Sequence, residues 1–214
     1  MKPSHKDSRI SAENKIARSG TEPQLIDKLD NVLNSSILMN PGFASTIFQN
    51  AWVVDDLEAA CHDWSTHFGV GPFFITDYQP SAFEAIDYRG TPSELSMRVA
   101  LAQAGPLQIE LVEPRTLKSV YRESVPTGSG SGSGFHHMCK WSGEFEDELT
   151  YFQGLGYDIV TRGKTRSTVF AYLDTRASLG CMLEIVPRTP KVEAKFAQIA
   201  EAARDWRGEE PLRY

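Results

Sequence analysis

Four apolar, strand-like runs each carry one polar residue near the middle, and they recur in the same order in the two halves of the chain: Gln49 in IFQNAWVV, Glu110 in LQIELVEP, His137 in FHHMCKW and Glu184 in CMLEIVP. A carboxylate without a partner is expensive to bury in an apolar strand, so two such strands, each with a lone Glu, call for a cation or another partner. A divalent metal ion is the economical answer. The halves also share a plan: a strand with the polar residue, a helix, two or three strands, then a strand with a Glu. After Gln49, Val54-Asp55-Asp56-Leu57-Glu58 leads into a helix running towards Phe68 and ended by Gly71-Pro72. After His137, Ser142-Gly143-Glu144-Phe145-Glu146 leads into a helix reaching Leu155-Gly156. Asp56 and Ser142 are suited to cap these helices.

Strand alternation says which side chains meet. It puts Leu107, Ile109 and Leu111 on one face, free to pack on helices, and Gln108, Glu110 and Val112 on the other. Leu183 and Ile185 likewise oppose Met182, Glu184 and Val186, while His137 shares a face with Cys139 and Trp141. If both modules curl around a shared hollow, the four polar groups converge. Aligning FHHM with IFQN sets His137 against Gln49, whereas His136, one residue out of step, turns to the other face as a structural or rim histidine.

Composition narrows the class. The chain has 214 residues, enough for one sizeable core or two small ones packed together. Its net charge of −6 and lack of a basic cluster argue against nucleic acid or an anionic membrane as partner. Cys61, Cys139 and Cys181 lack the close pairs of a thiolate zinc site or a disulfide framework. The start has no apolar signal core, and no run approaches the roughly 20 residues of a spanning helix. A cytoplasmic setting is expected. Residues 1–44 read as a polar N-terminal extension with helix-like spacing only at Leu25, Leu29, Val32 and Leu33, 45–125 as the first module, 126–134 as a Gly/Ser linker, and 135–188 as the second module. Residues 189–214 form a C-terminal helix and tail, expected to serve packing or a dimer surface.

Over about 45–188 the chain resembles the vicinal-oxygen-chelate superfamily, the group of glyoxalase I and methylmalonyl-CoA epimerase. FQNAWVVDDLEAACHDWSTHFGVGPF, VALAQAGPLQIELVEP, GFHHMCKW and ASLGCMLEIVP carry the resemblance. It implies an α+β fold of two βαβββ modules whose mixed sheet forms a cup around one divalent ion, with Gln49, Glu110, His137 and Glu184 as ligands. That ligand set is similar to glyoxalase I, while the GFHHM run is closer to the epimerase. A homodimer is implied too, since the fold commonly pairs modules within or between chains.

Three oxygen donors and one imidazole suit Zn, Co, Ni, Mn or Fe(II), with calcium disfavoured. Such a site polarises a carbonyl or holds an enediolate so that a carboxylate can remove the neighbouring proton. The expected activity is therefore that of an epimerase or isomerase on a small carbonyl substrate. Glu184 would double as base, as the resemblance implies, and Glu94 in PSELSMRV matches by position the epimerase's second acid/base, although Ser96 and Met97 depart from that pattern. Trp52, His136, Trp141, Phe170 and Tyr172 are candidate substrate contacts, with Arg98 as an anion contact. The alternatives are a glyoxalase-type lyase, an extradiol dioxygenase, whose open iron positions Gln49 and Glu110 would crowd, and a non-catalytic small-molecule binder.

Overall fold

The computed structural model describes residues 47–127 and 134–214, so the spacing at Leu25 to Leu33 and most of the Gly/Ser linker lie outside the described residues. The first half runs β1 (Ile47–Val53), α1 (Leu57–Phe68), β2 (Phe73–Tyr78), β3 (Phe83–Tyr88), β4 (Thr91–Pro92), β5 (Met97–Ala104), β6 (Leu107–Pro114) and α2 (Val120–Ser124). The second runs β7 (Gly134–Ser142), α3 (Phe145–Gly154), β8 (Ile159–Thr165), β9 (Val169–Leu173), α4 (Arg176–Leu179) and β10 (Met182–Pro187), followed by α5 (Pro190–Ala203) and β11 (Leu212–Arg213). The strands form one mixed sheet in the order β11-β2-β5-β6-β1-β7-β10-β9-β8-β3-β4. The expected pair of modules is there, joined where β1 runs antiparallel to β7.

The hairpin β3-β4 departs from the expected plan. It leaves the first module and pairs antiparallel with β8, the outer strand of the second. This connection explains the cup. In a flat sheet of this order β2 and β3 would lie about 38 Å apart, at ~4.8 Å per strand. The short link from Tyr78 to Phe83 spans at most about 18 Å. The sheet must curl until its ends meet, and the rings of Tyr78 and Phe83 sit with centroids 6.1 Å apart.

Alternation sorts the side chains into layers. Outside the curl, Leu107, Ile109 and Leu111 pack with Leu57 and Cys61 of α1. Leu183 and Ile185 pack likewise with Phe145 and Leu149 of α3. Inside, Val53, Met97, Val99, Leu101, Cys139, Phe170, Tyr172, Met182 and Val186 share one cluster. Phe170 lies over Gly163, its partner on β8, where any Cβ would collide with the ring.

Asp56 caps α1, accepting from the Ala59 amide at 3.0 Å. Ser142 does not cap α3. The carboxylate of Glu148 reaches back instead, accepting from the Ser142 hydroxyl at 2.9 Å and the Gly143 amide at 3.2 Å, and pairing with buried Lys140. The C-terminal α5, started by Pro190 and capped by Thr189, is not a spare surface element. It lies across the mouth of the cup with Lys191, Val192, Lys195 and Phe196 on its inner side. Among the described residues no helix is long and apolar enough to cross a membrane.

A polar staple holds the crossing hairpin to the second module. Glu123 of α2 accepts from the Tyr88 hydroxyl at 2.8 Å, from Arg89, and from Arg176 of α4 at 2.8 Å. Burial alone would raise the Glu123 carboxyl; the bonds from Arg89 and Tyr88 and the charge of Arg176 outweigh it and hold it below the usual range. A depressed carboxyl stabilises the fold above its unfolded value, near pH 4.3, and the contribution is lost as pH falls through the lower folded value. Glu123→Gln is therefore expected to cost about 1.5–3 kcal/mol at pH 7 in urea unfolding, with the gap narrowing below about pH 4. A gap as wide at pH 3.5 as at pH 7 would contradict this account.

Candidate metal centre

The floor of the cup is built by register. β1 lies between β6 and β7, and Ala51 pairs with both Glu110 and His137. Side chains directly across strands point the same way, so Glu110 and His137 reach towards each other over the smallest side chain on that row. Glu184 pairs with Cys139, two residues further along β7, and leans in from the other side. The imidazole Nε2 of His137 ends 3.2 Å from Glu110 Oε2 and 3.1 Å from Glu184 Oε2. One ligand atom from each of the three lies within 4.8 Å of the others.

These groups are deeply buried: His137 is 0% exposed, Glu184 8% and Glu110 9%. Despite the short distances, Glu110 Oε2 and His137 Nε2 make no aligned hydrogen bond among the described residues. They surround a point instead of bonding one another, which is the arrangement that ligands of a shared cation adopt. Burial alone would lower the His137 imidazolium; the two carboxylates overcome this and lift it to about 9. Burial, reinforced by the charge of Glu184, raises the Glu110 carboxyl, against the pull of His137 and Lys195. Two acids and one imidazole in so small a volume fit a divalent cation by donor type and by charge.

Gln49 lies one pair further along β1, between Gln108 and Cys139. Its Nε2 donates to Gln108 Oε1 at 2.6 Å, and Gln49 lines the cavity.

His136 is where strand alternation misleads. Trp52 pairs with Phe135 and Ala51 with His137, so His136 is the extra residue of a β-bulge. A bulge breaks the alternation and keeps neighbours on one side. β1 has the same irregularity at Phe48, just ahead of Gln49. His136 is 1% exposed, and its Nε2–H donates to the Val120 carbonyl at 3.0 Å. Burial and the adjacent His137 charge push its pKa down to about 3, so the ring is neutral and its Nδ1 can only accept. The proton between the rings, 2.8 Å apart at their Nδ1 atoms, therefore belongs to His137. In neutral His137 the lone pair then sits on Nε2, facing the two carboxylates. Neither histidine is among the cavity-lining residues, and the bond between their Nδ1 atoms orients the His137 ring.

Above the floor is a cavity of about 270 Å³. Phe83, Met97, Val99, Leu101, Phe170 and Val186 supply apolar wall. Tyr172 lines it with its hydroxyl 3.0 Å from that of Tyr121, and burial raises both phenols well above their ordinary value. Cys139 also lines it as a protonated thiol, raised by burial and by Glu184.

Other sequence candidates lie elsewhere. Trp52 alternates out of the cup and packs on Trp64 of α1 and on Phe135. Arg98 also points outward, bound to Glu58 at 2.8 Å with Glu113 nearby, and is occupied by structure. Glu94 is exposed ahead of β5 and outside the cavity lining. Trp141 faces inward but stacks on Phe48 at 3.9 Å, backing the wall without lining it. Sequence reasoning missed Phe48, Tyr78 and the inner residues of α5. The i, i+4 spacing of Lys191 and Lys195 was the available signal for the last.

The family model for the glyoxalase/bleomycin resistance protein/dioxygenase superfamily matches residues 48–172, more than half of the chain. No curated protein sequence matches. Among solved structures, a hypothetical protein from Bacillus halodurans C-125 is similar with a TM-score of 0.50 and 16% identity, over 67% of this chain and 94% of that one. Methylmalonyl-CoA epimerase from Mycobacterium tuberculosis gives 0.49 and 15%, over 70% and 91%. At these identities the likeness is one of fold.

The histidine relay generates a measurable expectation. His136→Phe keeps a ring but removes the acceptor, and loss of such a partner commonly weakens ion binding about 10–100-fold. Calorimetric titration with Zn or Co is expected to find that loss, with His136→Asn recovering part of it. Equal affinity in the Phe variant would remove His136 from the account.

Proposed function

Because the chain belongs to the glyoxalase/bleomycin resistance protein/dioxygenase superfamily, we propose that it is a metal-dependent isomerase or epimerase that removes a proton alpha to a carbonyl. The observation that carries this reading is the convergence of Glu110, His137 and Glu184, with Glu110 Oε2 and His137 Nε2 unbonded and both carboxylates lining a cavity whose wall is largely apolar. Glu110, His137, Glu184 and the Gln49 carbonyl would hold the ion. Zn, Co, Ni, Mn or Fe(II) bound there would supply a Lewis acid for the substrate's carbonyl and its neighbouring oxygen.

The remaining work falls to the chain's own groups. The apolar walls exclude water, which strengthens every charge interaction at the floor. Glu184, which lines the cavity, is the base: the substrate C–H bond breaks, the proton passes to its carboxylate, and the electron pair moves onto the carbonyl oxygen. Returning the proton to the same carbon or its neighbour completes the reaction. Of the two hydroxyls of Tyr121 and Tyr172, one donates to the other, which leaves one proton for a substrate oxygen. Their raised pKa values keep both neutral in that role. Glu94 has no part in this scheme. A homodimer would cover the exposed Phe68 and Phe135.

The reading opposes a simple binding protein, which has no need of two buried acids around an imidazole. Purified protein is expected to carry about one divalent ion per chain by mass spectrometry, and to exchange the alpha proton of a carbonyl substrate with solvent deuterium. Chelation should abolish exchange and lower Tm, because an ion bound only to the folded state stabilises it. Glu184→Gln should slow exchange at least about 100-fold. A protein that neither retains nor takes up any of the five metals would end the proposal.

A further inference from the structure

Among the described residues the charged groups lining the cup are two acids at its floor, Glu110 and Glu184, and two lysines on the helix across its mouth, beside the hydroxyls of Thr165, Ser167 and Thr168. Lys191 and Lys195 stand one helical turn apart on the inner side of α5, and both line the cavity. The acid of the same helix, Glu193, is held by Arg188 at 2.7 Å. Among the described residues neither lysine has an ion-pair or hydrogen-bond partner; both are exposed, as are the unpaired Lys118 and Arg166, but only Lys191 and Lys195 line this cavity. Lys195 and Glu110 also feel one another's charge across the cavity, and burial lowers the Lys195 ammonium.

Charge balance gives this asymmetry a meaning. With a divalent ion at the floor, Glu110 and Glu184 are already compensated and neutral His137 adds nothing. The two ammonium groups then leave the cavity with an excess positive charge at one end. A ligand that chelates at the floor and is neutral elsewhere would leave those exposed ammonium groups to water. A ligand with an anionic end would meet them with charge-assisted hydrogen bonds. We propose that the substrates are carbonyl compounds carrying a carboxylate or phosphate at the end remote from the chelated oxygens, and that Lys191 and Lys195 bind that group at the mouth of the cup. This rests on the proton-abstraction reading for the floor, and it adds the chemical class of substrate.

The test compares pairs that differ only in the remote group. 2-Oxoglutarate and 2-oxopentanoate form the carboxylate pair; dihydroxyacetone phosphate and dihydroxyacetone form the phosphate pair. Binding to the zinc-loaded protein is measured by calorimetry and deuterium exchange by NMR. The charged member of at least one pair should bind about tenfold or more tightly, and the pair that does so tells carboxylate from phosphate. Lys195→Met should cut that ratio to within about twofold, Lys195→Arg should retain most of it, and added salt should compress it. Exchange with no charge preference would overturn the substrate class and leave proton abstraction standing. A lysine-dependent preference in binding with no exchange of any probe would do the reverse. Equal binding within both pairs, or a preference that survives Lys191→Met/Lys195→Met, would overturn the inference.

Discussion

The arrangement depends on two buried carboxylates held against one buried imidazole. Each acid alone would pay several kcal/mol for leaving water, and together they repel. A protonated His137 returns one positive charge against two negative ones, which is why its pKa is lifted to about 9. That proton occupies the place a metal ion would take. A divalent ion bound there would exchange one charge for two, displace the proton, and give the unbonded Glu110 Oε2 and His137 Nε2 a shared partner. The surrounding apolar wall makes the exchange worthwhile, because it removes the water that would otherwise screen the acids.

The backbone achieves this at the seam between the modules. β1 and β7 are the strands on which the two halves meet, and each carries a bulge just ahead of its polar residue, at Phe48 and at His136. The pairings repeat as well: Ala51 opposes Glu110 as Cys139 opposes Glu184, each two residues beyond the strand's own polar group. The halves are therefore equivalent at the level of hydrogen-bond register. They differ in the small side chain between the converging polar groups. Ala51 lets Glu110 and His137 meet over it, and a larger residue would stand between them. The bulge at His136 adds the second histidine, which fixes the proton of the first.

Much of this was legible in the sequence where alternation holds. On β6 and β10 every second residue turned as expected, which placed Glu110 and Glu184 inside the cup and the leucines and isoleucines against the helices. The same rule applied to β1 would have put Trp52 outside with Asn50, and naming it a substrate contact disregarded that. Alternation failed at His136, because a bulge is set by pairing with another strand and leaves no mark in the strand's own residues. Arg98 sits one residue from two cavity-lining positions and was drawn outward by Glu58 and Glu113, neighbours brought near only by folding. The crossing of β3 to β8 was likewise invisible, since nothing in FEAIDY names its partner.

The last consequence concerns α5. Glu184 lies on β10, which ends at Pro187; the Arg188 amide then donates to the Ser142 carbonyl at 3.1 Å, and Thr189 caps the helix that carries Lys191 and Lys195. The floor carboxylate and the mouth cations are thus joined by a short, hydrogen-bonded connection. A shift of β10 that loosens Glu184 from its place must be felt at the start of α5. Phe196 of that helix packs against Phe48 and Trp141, so the seam strands that bring Gln49 and His137 to the floor also seat the cover. A chain built this way has little freedom to open its mouth without disturbing its floor, and a ligand that contacts both ends would stabilise the whole unit.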